Sequence, residues 1–143
     1  IQDVLKKFGV TNINLRPHPS EEKNWYKKHI DINFFNFDRL PLNDSLKKAS
    51  LVIGPVSTTF IDSLAHEVNY VVFEPTIDGE NIFGYPISPP LDGSDPLIPM
   101  AKTTDELLDI IKAKKKVDIS VYTQFAPINY DFSSLISIAQ KNK

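Results

Sequence analysis

The stretch SLVIGPVSTTFIDSLA, residues 50–65, decides the fold. Its apolar run 51–53 predicts a short buried strand that ends at Gly54. The apolar residues that follow recur at helical spacing, so a helix is predicted directly after the strand, with Ser57 or Thr58 as its N-cap. A strand that leads through a short turn into an amphipathic helix is the repeating unit of an α/β domain.

The same alternation of strand and helix recurs on both sides of this unit. The predicted strands cover residues 13–16, 32–37, 51–53 and 70–73. The predicted helices cover 1–8, 21–28 (capped by Ser20), 44–49, 60–65, a segment capped by Thr104 that ends in 112–116, and 132–140. Short connections in such an alternation predict a parallel sheet with helices on both faces. The tract 76–99 is rich in proline and glycine and predicts a long loop.

Composition narrows the class of protein. The chain has 143 residues, the size of one domain, and 41% of them are apolar. A formal net charge of −2 argues against a nucleic-acid partner, and the lack of cysteine excludes disulfides and thiolate metal sites. Residues 1–8 resemble the second half of a helix, so we expect this single domain to be a piece of a longer protein. The lysine-rich segment 112–116 is either a solvated helix end or a contact with anionic lipid.

The motif RPHPS, residues 16–20, follows a predicted strand. Ligands of open α/β sheets bind outside the carboxyl ends of the strands. His18 lies between two prolines that stiffen its backbone, and an imidazole N–H can donate to a phosphate oxygen. The alternative is a turn with a solvated histidine, and the spacing alone leaves both open.

Three consecutive hydroxyl residues, Ser57, Thr58 and Thr59, stand at the start of the helix that follows residues 51–53. Capping requires only one hydroxyl, whereas a helix start with several donors can bind an anion. The Gly-Lys-[Ser/Thr] ending of a phosphate-binding Walker loop is absent. Because both motifs follow predicted parallel strands, we expect them to face one crevice and to serve one phosphate.

The two motifs together resemble a known group of bacterial transferases. RPHP, residues 16–19, resembles the HP motif of sialyl-, polysialyl- and Kdo-transferases and of CDP-glycerol glycerophosphotransferases. Residues 50–65 are similar to their Ser/Thr segment, and VVFEP, residues 71–75, to the strand that follows it. The resemblance implies a Rossmann-like domain, the C-terminal, nucleotide-binding half of a GT-B glycosyltransferase.

The resemblance also implies roles for individual residues. His18 is then the catalytic contact to the donor phosphate, together with Ser57 and Thr58, and Asn43 or Asp44 lies near the ribose or base. The remaining candidates for donor contacts are Arg16, Thr59 and Glu74; Glu74 either holds a ribose hydroxyl or caps a loop.

The function implied is transfer of a sugar from a CMP- or CDP-linked donor to a surface polysaccharide or lipid-linked glycan. No separate cofactor and no metal are expected, since no Asp-x-Asp motif is present. The general base comes from an N-terminal domain, and the expected location is the cytoplasm or the inner face of the membrane. Two alternatives stay open: an epimerase that binds a UDP-sugar, and a non-catalytic α/β binding or regulatory domain.

Overall fold

The computed structural model describes residues 1–21, 23–81, 86–118 and 120–121 of the chain. In chain order the elements are α1 (Gln2–Lys7), β1 (Asn14–Leu15), α2 (Lys23–His29), β2 (Asn36–Phe37), α3 (Leu42–Leu46), β3 (Leu51–Gly54), α4 (Thr59–Ala65), β4 (Asn69–Phe73), β5 (Thr76–Ile77), β6 (Glu80–Asn81), β7 (Met100–Ala101) and α5 (Thr104–Lys112).

The centre of the structure is a parallel sheet of three strands in the order β3-β4-β7. Leu51 of β3 lies opposite Asn69 of β4, and Val72 of β4 lies opposite Met100 of β7. Strand β4 is therefore the middle strand, and three of its five residues are buried. This arrangement confirms the predicted α/β class.

The side chains of β4 alternate between two apolar clusters, because successive residues of a strand point to opposite faces. Tyr70 and Val72 pack on one face with apolar residues of α4, namely Phe60 and Leu64. Val71 and Phe73 pack on the other face with apolar residues of α1 and α5, namely Val4, Leu107 and Ile110. The central sheet therefore carries helices on both faces, as predicted.

The prediction of one continuous sheet is wrong for the described part of the chain. Strands β1 and β2 pair with each other in parallel, and among the described residues no ladder joins them to the central sheet. Each of these strands has only two residues. Proline at positions 17 and 19 limits β1, because proline lacks the N–H that would extend a ladder.

Other boundaries differ from the prediction for local reasons. Only Asn36–Phe37 of the predicted strand 32–37 is extended; before it, the Asp31 carboxylate accepts the N–H of Asn33 and the chain turns. The predicted helix 44–49 is α3, which begins at Leu42 directly after Pro41.

Beyond β4 the described residues form three strands that were not predicted, and the N-cap of one helix is shifted. The predicted loop 76–99 begins with the antiparallel hairpin β5–β6, whose turn residues Asp78 and Gly79 have φ of 53° and 83°. Strand β7 was not predicted. Helix α5 is capped by Thr103 rather than Thr104, through a capping box with Glu106. The predicted helix 132–140 lies outside the described residues.

Within the described ranges, no helix is long and apolar enough to cross a membrane.

Candidate functional site

The turn that connects β3 to α4, residues 54–58, is held in place by Tyr70 of the neighbouring strand β4. The Tyr70 hydroxyl donates to the carbonyl oxygen of Pro55 at 2.7 Å, and the residue is 1% exposed. A Cβ atom at Gly54 would lie 2.5 Å from the Tyr70 hydroxyl oxygen. Glycine is therefore required at this position by the close approach of a buried side chain.

Glu74, which follows the end of β4, holds the same turn from the neighbouring strand. It is 2% exposed, and its Oε1 accepts the N–H of Val56 at 2.6 Å. Burial raises the pKa of Tyr70 to about 12; a hydrogen bond with Ser57 opposes this rise and the Glu74 carboxylate adds to it. Of the two roles predicted for Glu74, the structure shows the one in which it anchors a loop, and contact with a ribose stays a prediction.

The three hydroxyl residues of the turn have different surroundings. Ser57 is half-buried, and its Oγ accepts the N–H of Thr59 at 3.2 Å. The Ser57 side chain also acts to lower the pKa of Tyr70, against the larger effect of burial. Thr58 is the N-cap residue, but its side chain makes no capping hydrogen bond. The capping role therefore belongs to Ser57, one residue earlier.

Several donors of this turn lack an acceptor in the described part of the protein. They are the backbone N–H groups of Ser57 and Thr58 and the exposed hydroxyl of Thr58. The N–H groups in the first turn of a helix have no intrahelical partner. They and the adjacent hydroxyl can therefore donate to a bound anion.

His18 lies after β1 in a compact, exposed turn. Its Nδ1 is 2.7 Å from the Ser20 Oγ and accepts the backbone N–H of Ser20 at 3.3 Å. A backbone N–H can only donate, so Nδ1 is the acceptor nitrogen and Nε2 carries the hydrogen of the neutral ring. Ser20 thus orients His18 and does not cap α2, which begins at Lys23. His18 presents an N–H donor at Nε2.

Arg16 connects the end of β1 to the segment that precedes α3. Its Nη1 donates to Asp38 Oδ2 at 2.9 Å and to the carbonyl oxygen of Leu40 at 2.7 Å. Burial acts to raise the pKa of Asp38, but the hydrogen bonds from Ser45, from the N–H of Leu40 and from Arg16 together lower it. The Asp38 side chain is only 6% exposed, so this pair organises the loop. A donor contact through Arg16 stays a prediction.

The two residues predicted near the ribose or base are exposed on α3. Asn43 Oδ1 lies 3.4 Å from His66 Nε2, and Asp44 Oδ1 lies 3.7 Å from Lys47 Nζ. His29, the third histidine, is exposed and packs against the Trp25 ring at 4.3 Å between centroids. Both Asn43 and Asp44 remain accessible to a ligand.

The structure brings together some of the predicted residues and not others. Glu74 and Ser57 meet at one turn through Val56 and Tyr70, whereas no hydrogen bond joins His18 to that turn within the described ranges. The sequence did not predict Tyr70 as a residue of the site. A signal was available, because it is the only residue of NYVVF with both a hydroxyl and a large apolar ring, and it lies on the middle strand.

A cavity of about 360 Å³ lies elsewhere, beside the amino end of β7. Its apolar lining includes Ile98, Met100 and Ile110, and its charged lining includes Lys115 and Lys116. None of the predicted site residues lines it. The cavity and the turn after β3 are therefore separate features.

Comparisons with known proteins do not assign the chain to a family. No protein-family model matches the chain, and neither a curated protein nor a solved structure matches it.

Proposed function

We propose that the chain is the donor-binding domain of a glycosyltransferase that uses a CMP- or CDP-linked sugar, with the Rossmann-like topology of a GT-B C-terminal half. The observation that carries the proposal is a set of donors in the turn after β3 that find no acceptor among the described residues: the N–H groups of Ser57 and Thr58 and the Thr58 hydroxyl. The resemblance of residues 16–19 to the HP motif, of residues 50–65 to the Ser/Thr segment and of residues 71–75 to the strand that follows it supports the same function.

In this proposal the turn binds the donor phosphate. The bond between the anomeric carbon and the phosphate oxygen breaks, the acceptor hydroxyl oxygen bonds the anomeric carbon, and the nucleotide leaves with the extra negative charge. Donors fixed in advance around that phosphate stabilise the developing charge. The turn is fixed because Glu74 and Tyr70 hold its backbone from β4.

His18 supplies a further donor through Nε2–H when the nucleotide spans the ends of β1 and β3. The general base that takes the acceptor proton belongs to an N-terminal domain that faces this one. The acceptor is a surface polysaccharide or a lipid-linked glycan, and the reaction takes place in the cytoplasm or at the inner face of the membrane.

The test is calorimetric titration of the 143-residue chain with CMP, CDP and UDP. We expect weak binding of the cytidine nucleotides. Thr58→Val, which removes one donor and keeps the shape, should weaken binding by about tenfold, the effect of one hydrogen bond to a charged group. Thr104→Val is the matched control, since Thr104 stands at the start of α5. Preference for UDP would support the epimerase, and no nucleotide binding would refute the proposal.

A further inference from the structure

We propose that the cavity beside the amino end of β7 binds an amphiphilic monoanion, a small molecule with an apolar body and one anionic head group. This inference goes beyond the proposed function, because it concerns a second site. Strands β3, β4 and β7 are parallel, so the turn after β3 and the cavity before β7 lie at opposite edges of the central sheet. Occupancy of the cavity therefore does not depend on a nucleotide.

The apolar wall of the cavity is part of the packed core. Ile98 and Ile110 are 3% and 6% exposed, and each belongs to one of the two apolar clusters of the protein. The volume of about 360 Å³ lies in the range of small-molecule sites. An apolar ligand body can therefore bury its surface against a wall that already exists.

The end of helix α5 directs a lysine segment to this cavity. The N–H of Lys115 donates to the carbonyl oxygen of Ile110 at 3.1 Å, and Lys114 between them has a left-handed φ of 51°. This is a Schellman motif, in which the residue at the position of Lys115 commonly makes an apolar contact with the one at the position of Ile110. Both residues line the cavity. A lysine can make that contact with its methylene groups while its ammonium group reaches a ligand head group.

The side chain of Asn69, at the amino end of β4, fixes the backbone on both sides of Lys116. Its Nδ2 donates to the carbonyl oxygen of Lys115 at 3.1 Å, and its Oδ1 accepts the N–H of Val117 at 2.9 Å. The two lysines of the lining therefore stand on a backbone that is bonded to the central sheet.

The charges of the lining favour a single negative charge. Two lysines, Lys115 and Lys116, face one carboxylate, that of Asp95, so the net charge is +1. The Asp95 carboxylate already accepts the N–H of Leu97 at 2.9 Å. Among the described residues, no carboxylate forms an ion pair with either lysine. Their ammonium groups can therefore bind the head group of a ligand whose body lies on the apolar wall.

A series of carboxylates of increasing length tests both parts of the ligand. Butanoate, hexanoate and octanoate carry the same charge, and each buried CH₂ group should raise the affinity by about fourfold. In ¹H–¹⁵N titrations of the 143-residue chain, hexanoate should shift the amide signals of Met100, Ile110 and Lys115. Hexylammonium, with the same apolar body and a positive head group, should bind at least about fivefold more weakly than hexanoate.

Two double variants test the charge of the protein. Lys115→Gln/Lys116→Gln should lower the affinity for hexanoate by about fivefold, the effect of losing exposed charge pairs. Lys27→Gln/Lys28→Gln is the matched control, because these lysines are also adjacent and exposed and their loss changes the net charge equally. It should bind hexanoate like the parent.

The results that would overturn this site differ from those that would overturn the proposed function. Equal affinity along the carboxylate series, equal losses in the two double variants, or amide shifts confined to other residues each refute the site. If circular dichroism shows that Lys115→Gln/Lys116→Gln does not fold, the hexylammonium comparison decides, and binding as tight as that of hexanoate refutes the site. A chain that binds hexanoate at these residues but no nucleotide contradicts the proposed function and supports the second site.

Discussion

Replacing Gly54 with alanine puts a Cβ atom 2.5 Å from the Tyr70 hydroxyl oxygen. Tyr70 cannot move aside easily. Its hydroxyl is bonded to the carbonyl oxygen of Pro55 at 2.7 Å, and its ring meets Phe60 edge to face at 5.4 Å between centroids. The alanine must therefore displace either the turn or the tyrosine, and each displacement disrupts the buried contacts between β3 and β4.

The cost follows from two contributions. Overpacking a buried site costs about 1–3 kcal/mol, and loss of the Tyr70–Pro55 hydrogen bond costs about 0.5–1.5 kcal/mol. We therefore expect Gly54→Ala to lower the free energy of unfolding by about 2–4 kcal/mol. For a chain of this size, that corresponds to a fall in Tm of roughly 6–12 °C.

A double-mutant cycle tests the stated cause. Tyr70→Phe alone removes the hydroxyl and should cost about 1–2 kcal/mol, since the Pro55 carbonyl loses its partner. In Gly54→Ala/Tyr70→Phe the nearest atom to the new Cβ is the ring Cζ at 3.4 Å, which is an ordinary contact. Urea denaturation of the four proteins should show a coupling of at least about 1 kcal/mol. Strictly additive effects would mean that the hydroxyl is not what excludes a side chain at Gly54.

Three further predictions concern the same region. His18→Ala should weaken CMP binding by about tenfold or more while the Tm is retained, because the residue is exposed in a turn; unchanged affinity in the titration would leave His18 a turn residue only. Ser57→Ala should lower the free energy of unfolding by about 0.5–2 kcal/mol, since its Oγ accepts the N–H of Thr59; Thr58→Ala is the comparison and should unfold like the parent. The free energy of unfolding should fall by up to about 2–3 kcal/mol as the pH rises from 10 to 12. The reason is that tyrosine in the unfolded chain ionises near pH 10, whereas burial raises the pKa of Tyr70 to about 12. Urea denaturation at pH 9 and pH 11 should show a smaller fall for Tyr70→Phe than for the parent.

The central part of the fold could be predicted from the sequence because its signals are local. The run 51–53, the apolar spacing of α4 and the run 70–73 each specify their own element. Strand β7 could not be found in this way, since Met100–Ala101 is two residues long and pairs with Val72 and Phe73, which are far away in the chain. The separation of β1–β2 from the central sheet also depends on pairing over long distances.

The candidate site was predictable in composition but not in detail. The hydroxyl cluster indicated an anion site, yet the sequence could not divide its members into Ser57, which is bonded within the protein, and Thr58, which is exposed. That division depends on the conformation of the turn, which Tyr70 of the neighbouring strand helps to hold through the Pro55 carbonyl oxygen. Glu74 was predicted at the crevice edge, but its hydrogen bond with the Val56 N–H depends on the tertiary structure.

The most direct measurement is the response of the turn's own amides to nucleotide. In ¹H–¹⁵N spectra of the 143-residue chain, added CMP should shift the Ser57 and Thr58 amide signals, because these N–H groups lack acceptors within the described ranges. Cytidine, which has no phosphate, should leave them nearly unchanged. Phosphate contact at this turn is contradicted if saturating CMP shifts other amides, such as those beside Lys115, while Ser57 and Thr58 stay in place.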